Sequence, residues 1–190
     1  MILLDPDLDP APPPHGPGPV RRGPRPALRA TSAKRKAAQG SSGTPGLPSI
    51  GVLARFLAKA QAAVNLRGQV TVLITTDAAI RSLNRRFRGK NKPTDVLSFP
   101  SEGPAAAGLA GDLAISLETA LKQATGQGHA LATELKVLML HGLLHLAGYD
   151  HEQDAGRMLR REQGLRMRLG LPLGLIERTA AQSAPKAARS

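Results

Sequence analysis

The stretch ALATELKVLMLHGLLHLAGYDH, residues 130–151, joins a long apolar run to three histidines. Residues 130–147 are strongly apolar throughout, which predicts a helix buried at the centre of the fold. Gly148 is expected to end this helix, because glycine readily adopts the left-handed conformation that reverses the chain. The stretch therefore predicts a core built around one central helix whose end turns back on itself.

The three histidines of this stretch, His141, His145 and His151, predict a metal centre at the end of the central helix. Helix positions i and i+4 lie on one face about 5–6 Å apart, which suits two imidazoles on one ion. The turn at Gly148 would bring the third imidazole back toward them. Three imidazoles leave a position open, as catalytic zinc sites do, although nickel or copper would bind the same donors. The alternative is three histidines that pack here by coincidence.

The same histidine spacing occurs in the metzincin proteases, whose motif is H-E-x-x-H-x-x-G-x-x-H. In those proteases the glutamate is the general base that activates water. This chain has Gly142 at that position, so peptide hydrolysis by the same mechanism would lack its base. A metzincin-like protease is kept as an alternative on the spacing alone.

The rest of the chain mixes further helices with strands. Apolar spacing and capping residues such as Asp77 and Ser116 predict helices at 50–64, 77–86, 116–126 and 153–169. Strands are predicted at 70–74, 95–99 and 112–115, where apolar and β-branched runs are bounded by Gly, Asp or Pro. Together with the central helix, this pattern predicts an α+β domain with a small sheet and about five helices.

The composition of the 190 residues narrows the function classes. There is no cysteine, which excludes disulfides and thiolate ligands and leaves histidine and carboxylate to bind a metal. No apolar run approaches the roughly 20 residues of a membrane span, and residues 1–5 lack the features of a secretory signal. We therefore expect a cytoplasmic protein without a membrane partner. With one Tyr, three Phe and no Trp, its affinity for RNA would be largely electrostatic.

The net charge of +12 is concentrated in two segments. Residues 11–46 hold seven basic residues and no acidic one, in a Pro-, Gly- and Ala-rich composition that predicts disorder. This segment is either an RNA-binding arm or a solvated insertion. The second segment precedes the predicted strand at 95–99 and also lacks an acid; its basic residues are Arg81, Arg85, Arg86, Arg88, Lys90 and Lys92. It predicts contact with phosphate, whereas the alternative is an ordinary solvated helix end.

Three stretches together resemble the YbeY family of single-strand-specific endoribonucleases. They are H-G-x-L-H-L-x-G-Y-D-H at 141–151, F-R-G-K-N-K-P-T-D-V-L-S-F-P at 87–100 and G-D-L-A-I-S at 111–116. They occur in the order and spacing of the family, and the resemblance covers residues from about 47 to 170. It implies a sheet of about four strands backed by helices. It also implies an endoribonuclease that acts in small-subunit rRNA 3′-end maturation and in ribosome quality control.

The resemblance also implies roles for individual residues and partners. Arg88 would be the catalytic arginine beside one zinc ion per chain. Arg85, Arg86, Lys90 and Lys92 are further candidates for RNA binding, and Asp150 is a candidate hydrogen-bond acceptor for an imidazole of the metal site. The implied partners are ribosomal RNA and the small ribosomal subunit, with ribosomal proteins and a ribosome-associated GTPase as further candidates.

Because family members open with a strand, the resemblance suggests a division of the chain into four parts. Residues 1–9 would hold the first strand, 10–46 a basic insertion, 47–172 the nuclease core and 173–190 a tail. Two alternatives stay open. No side chain of the motif is an obvious general base, so either water or the ribose 2′-hydroxyl could attack the phosphate. The protein could also be a ribosome-assembly or interaction factor whose metal is structural.

Overall fold

The computed structural model describes residues 1–8, 46–101, 108–151 and 154–172, and a mixed sheet organises them. The predicted basic insertion at 10–46 and the predicted tail at 173–190 lie outside the described residues, except for Gly46. Their disorder and any contact with RNA remain predictions.

The sheet has four strands within the described residues, in the order β1-β2-β4-β3. They are β1 (Ile2–Leu4), β2 (Gln69–Thr75), β3 (Val96–Pro100) and β4 (Leu109–Ser116). β2 pairs in parallel with β1 on one side and with β4 on the other. Val72 of β2 therefore lies opposite both Ile2 of β1 and Leu113 of β4. β3 pairs antiparallel with β4. Val72 and Leu113 are almost completely buried and belong to the core beneath the helices.

Five α-helices pack with this sheet in the described part of the chain. They are α1 (Ile50–Val64), α2 (Asp77–Arg88), α3 (Leu117–Gln127), α4 (Leu131–Leu146) and α5 (Arg157–Leu169), with a single 3-10 turn at Pro6–Leu8. The prediction of an α+β domain with about four strands and five helices is confirmed. None of these helices combines the length and the apolar character needed to cross a membrane.

The apolar helix α4 lies at the centre, as predicted. It contacts α1, α3, α5 and the strands β3 and β4, and almost all of its second half is buried. Its leucines and Met139 have no exposed surface through two turns, because every face of the helix meets another element. Burial on all sides explains why the sequence of α4 lacks the polar stripe of a surface helix.

Some predicted boundaries were wrong. Thr76, not Asp77, caps α2, since its hydroxyl accepts a hydrogen bond from the backbone N of Ala79 at 3.2 Å. β4 begins at Leu109 instead of 112, because long-range pairing with β2 and β3 extends it. α5 begins at Arg157 instead of 153, since Ala155 and Gly156 both have positive φ and form a turn before it.

Candidate metal centre

The end of α4 and the turn after it bring three histidines together. His141 and His145 share a face of the helix, with ring centroids 4.8 Å apart. Gly148, at φ +84°, reverses the chain after the helix. The ring of His151 then lies 5.8 Å from that of His141 and 5.4 Å from that of His145. One nitrogen from each ring lies within 4.8 Å of the other two, so three donors surround one point.

These donors fit a divalent metal ion such as zinc. The Nε2 atoms of His141 and His145 are 3.2 Å apart, and two imidazole nitrogens on a tetrahedral zinc at about 2.0–2.1 Å would be about 3.3 Å apart. The Nδ1 atom of His151 is buried and has no hydrogen-bond partner among the described residues. A buried polar atom without a partner is costly unless a ligand satisfies it. The geometry and the unpaired nitrogen therefore both favour a bound cation.

The surroundings of His145 keep its imidazole neutral. Burial is the largest cause that lowers its pKa to about 4, and the charges of His141, His151 and Arg88 lower it further, whereas Asp150 opposes the shift. A neutral imidazole keeps the lone pair that a metal needs. At pH 7 His145 is therefore ready to bind a metal without first releasing a proton.

A buried carboxylate on α5 orients His141. Oε2 of Glu162 lies 3.1 Å from Nδ1 of His141, and Nη2 of Arg166 donates to the other carboxylate oxygen. Glu162 and Arg166 are each only 1% exposed. Burial tends to raise the pKa of Glu162, but the hydrogen bond and charge of His141, together with Arg166, hold that pKa below its ordinary value. The charged Glu162 thus accepts the Nδ1 proton, which directs Nε2 of His141 toward the other imidazoles.

Glu162 was not predicted from the sequence, in which Asp150 was the candidate hydrogen-bond acceptor for an imidazole. The charge of Asp150 acts on His145, and its proposed hydrogen bond to an imidazole remains a prediction. The only sequence signal for Glu162 is its i,i+4 spacing to Arg166 on the predicted last helix. That spacing is common on solvated helix surfaces, so it does not identify a buried pair.

Arg88 faces the histidines across a cleft of about 180 Å³. Arg88 is the last residue of α2, which ends because Gly89 takes the left-handed conformation at φ +68°. The wall between Arg88 and the histidines is formed by the residues before and within β3: Thr94, Asp95, Val96 and Ser98. The carboxylate of Asp95 already accepts hydrogen bonds from the backbone N of Val96 and from Gln123. The cleft therefore combines three nitrogen donors with one guanidinium.

The other basic residues of the second charged segment do not line this cleft. Arg85, Arg86, Lys90 and Lys92 are all exposed. The guanidinium of Arg86 lies 5.1 Å from the ring centroid of Phe87 and so stacks on that ring. Of the six basic residues of this segment, only Arg88 lines the cleft with the histidines. Contact of Arg85, Arg86, Lys90 and Lys92 with RNA remains a prediction.

Gly142 packs against the sheet where the metzincin motif has its glutamate. A Cβ atom at this position would lie 2.7 Å from Cδ2 of Leu113 and 3.3 Å from Oγ of Ser98. The first of these distances is well inside van der Waals contact. A side chain at residue 142 would therefore require the Leu113 side chain to shift.

Comparisons with known proteins give matches that cover the whole cleft. A family model described as "Endoribonuclease YbeY" matches residues 50–170. Endoribonuclease YbeY of Koribacter versatilis is 53% identical over 137 residues, which are 72% of this chain and 88% of that protein. Its counterpart in Solibacter usitatus is 55% identical over 124 residues, or 65% and 82% of the two chains. The solution structure of a Thermotoga maritima protein is similar at a TM-score of 0.47 and 25% identity, over 73% and 93% of the two chains.

Proposed function

The chain belongs to the YbeY family of endoribonucleases, and we propose that it cleaves single-stranded RNA at the three-histidine cleft. The observation that carries this proposal is that Arg88 and the three imidazoles line one cavity. A phosphodiester in that cavity would lie between the Arg88 guanidinium and the metal-binding nitrogens. Opposed positive groups of this kind are suited to a transition state whose negative charge grows on phosphate oxygens.

We propose one zinc ion per chain, held by His141, His145 and His151. Bound there, zinc would supply Lewis-acid chemistry, which polarises a phosphate oxygen and lowers the pKa of water. The protein's own groups prepare the site: Glu162 fixes the tautomer of His141, and burial keeps His145 neutral. The guanidinium of Arg88 can pair with two non-bridging oxygens at once, which orients the phosphate and offsets its developing charge.

The attacking group can be identified from the products. Attack by the ribose 2′-hydroxyl leaves a 2′,3′-cyclic phosphate and a 5′-hydroxyl, whereas attack by water leaves a phosphate on one side and a hydroxyl on the other without the cyclic product. Mass spectrometry of the fragments from a defined RNA separates the two.

We further propose that the RNA substrate is ribosomal and that the protein acts in the cytoplasm. The family membership supports roles in small-subunit rRNA 3′-end maturation and ribosome quality control, with the small ribosomal subunit, ribosomal proteins and a ribosome-associated GTPase as partners. A net charge of +12 suits association with a large polyanion. Depletion of the protein should make small-subunit rRNA with extended 3′ ends accumulate. The wild-type gene, but not an Arg88→Ala copy, should restore the mature ends.

A second candidate function is a ribosome-assembly factor whose metal is structural. The link from His141 through Glu162 to Arg166 favours it, because the network ties the metal site to the buried face of α5. Arg88→Ala separates the two candidates, since Arg88 is exposed and should leave fold and metal intact. A metzincin-type protease is disfavoured because residue 142 is glycine, so the glutamate base of that mechanism is absent.

Metal content and RNA cleavage, measured on the same samples, test the proposed function. Purified wild-type protein is expected to hold about one zinc per chain and to cleave single-stranded RNA. The His145→Ala variant should lose both, whereas Arg67→Ala, a change at an exposed residue outside the cleft, should lose neither. Absence of metal from the wild type, or unchanged cleavage by His145→Ala, would contradict the proposal.

A further inference from the structure

A second cavity, lined by cations, lies between α1, α4 and α5. Its volume is about 340 Å³, and the basic residues that line it are Arg55, Lys59, Lys136 and Arg168. Its other lining residues are apolar, among them Phe56, whose ring centroid lies 5.8 Å from the Lys136 ammonium. No acidic side chain lines this cavity among the described residues. We call it the basic cavity.

The basic cavity and the metal centre are on opposite sides of α4. Lys136 precedes His145 by two and a half helical turns, which places the two side chains about 13 Å apart along the helix axis and on opposite faces. The linings of the two cavities share no residue. The basic cavity is therefore a separate site and does not extend the cleft.

The positive charge of the basic cavity is not neutralised within the described structure. None of its four basic side chains forms an ion pair with another described residue. Residues 11–46, which precede α1 in the sequence, include seven basic residues and no acidic residue that could pair with these cations. Like charges held close together repel one another, and a bound polyanion would relieve that repulsion.

We propose that the basic cavity is a second RNA-binding site, which holds the phosphodiester backbone of an RNA whose cleaved bond lies in the metal cleft. This inference rests on the proposed function, because it takes RNA to be the substrate. The cleft has a volume of only about 180 Å³, whereas ribosomal substrates are long polyanions that can extend from it around the surface of the domain. A second contact on the same molecule raises the effective concentration of RNA at the cleft. The cavity should therefore favour long RNA over short RNA, independently of sequence.

The binding test reverses two exposed charges of the cavity with Arg55→Glu and Lys59→Glu. The matched control, Arg67→Glu with Lys122→Glu, makes the same change of charge at two exposed residues outside the cavity. Both pairs are introduced into the full-length chain carrying His145→Ala, so that RNA stays intact during the measurement. Fluorescence anisotropy with a long, unstructured, single-stranded RNA then gives the dissociation constant at several salt concentrations.

We expect the cavity variant to bind the long RNA about tenfold more weakly than the control at low salt. The slope of the logarithm of affinity against the logarithm of salt should fall by about 1.4, since each phosphate contact to a single strand contributes about 0.7. Equal affinity and equal slope in the two variants would overturn the inference. Superimposable circular-dichroism melts of the two variants establish that both are folded.

Cleavage by the otherwise wild-type chain distinguishes failure of this inference from failure of the proposed function. The cavity variant should cleave an RNA hexamer at the wild-type rate but show a raised KM for the long RNA. An equal KM for long RNA in cavity and control variants would overturn the second site and leave the proposed function standing. If the wild type cleaves neither RNA, the proposed function fails, and the binding test still decides whether the basic cavity holds RNA.

Discussion

Replacing Glu162 by Gln should weaken metal binding through His141. The carboxylate accepts the Nδ1 proton of His141 at 3.1 Å and so presents Nε2 of that ring to the centre. An amide at residue 162 can instead donate to Nδ1, which moves the ring proton to Nε2 and removes one metal ligand. It also removes the negative partner of Arg166, which is 1% exposed.

The two consequences have different magnitudes. Loss of a hydrogen-bond partner that orients a metal-binding histidine typically lowers metal affinity about 10- to 100-fold, or about 1.4–2.8 kcal/mol. Loss of one member of a buried ion pair lowers the free energy of unfolding by about 3–5 kcal/mol. Arg166→Met is the matched variant, because it breaks the same ion pair but keeps the hydrogen bond between His141 and Glu162.

Zinc affinity is measured by competition with a chromogenic chelator, and the free energy of unfolding of the metal-free protein by urea denaturation. Both variants should lose a similar amount of stability, but only Glu162→Gln should lose the 10- to 100-fold in affinity. An equal loss of zinc affinity in Glu162→Gln and Arg166→Met would show that the loss comes from destabilised packing of α5 and not from the missing carboxylate. Unchanged affinity in Glu162→Gln would refute the role of the carboxylate.

Three further predictions follow from the cleft and its neighbours. Arg88→Ala should lower RNA cleavage at least about 100-fold with unchanged zinc content, whereas Arg67→Ala should change neither; retained cleavage would contradict a catalytic role. In the metal-free folded protein the pKa of His145 is about 4, below its ordinary value of 6.5. Between pH 4 and pH 6.5 His145 is therefore protonated in the unfolded chain but neutral in the folded one. The free energy of unfolding should therefore fall as pH drops from 6.5 to 4, and urea denaturation of His145→Gln should lack this part of the pH dependence. Gly142→Ala should lower the free energy of unfolding by about 1–3 kcal/mol by pressing on Leu113, and thermal melts at the wild-type level would refute the packing argument.

The central helix and the approach of the three histidines could be predicted because their causes are local. Apolar residues on every face predict burial of α4, and a glycine after the last helical turn predicts the reversal that brings His151 back. Both signals lie within one continuous stretch of sequence. Neither depends on what another part of the chain does.

Other features depend on contacts between distant residues, and the sequence did not reveal them. The early start of β4 at Leu109 comes from its pairing with Gln69 of β2, and a Gly- and Ala-rich approach carries no strand signal of its own. The role of Glu162 requires that α5 packs against the end of α4, which local spacing does not encode. The basic cavity likewise collects residues from three helices, so no single charged run in the sequence predicts it.

The close packing of Gly142 on β4 also limits the routes by which this scaffold could change its chemistry. The histidine spacing is that of the metzincin proteases. Replacing Gly142 by Glu would therefore complete their sequence motif. In the folded protein that substitution meets the side chains of Leu113 and Ser98. The Leu113 side chain would first have to move away from the helix. The packing of Leu113 against residue 142 is thus a barrier to exchanging one hydrolase mechanism for another that uses the same spacing of histidines.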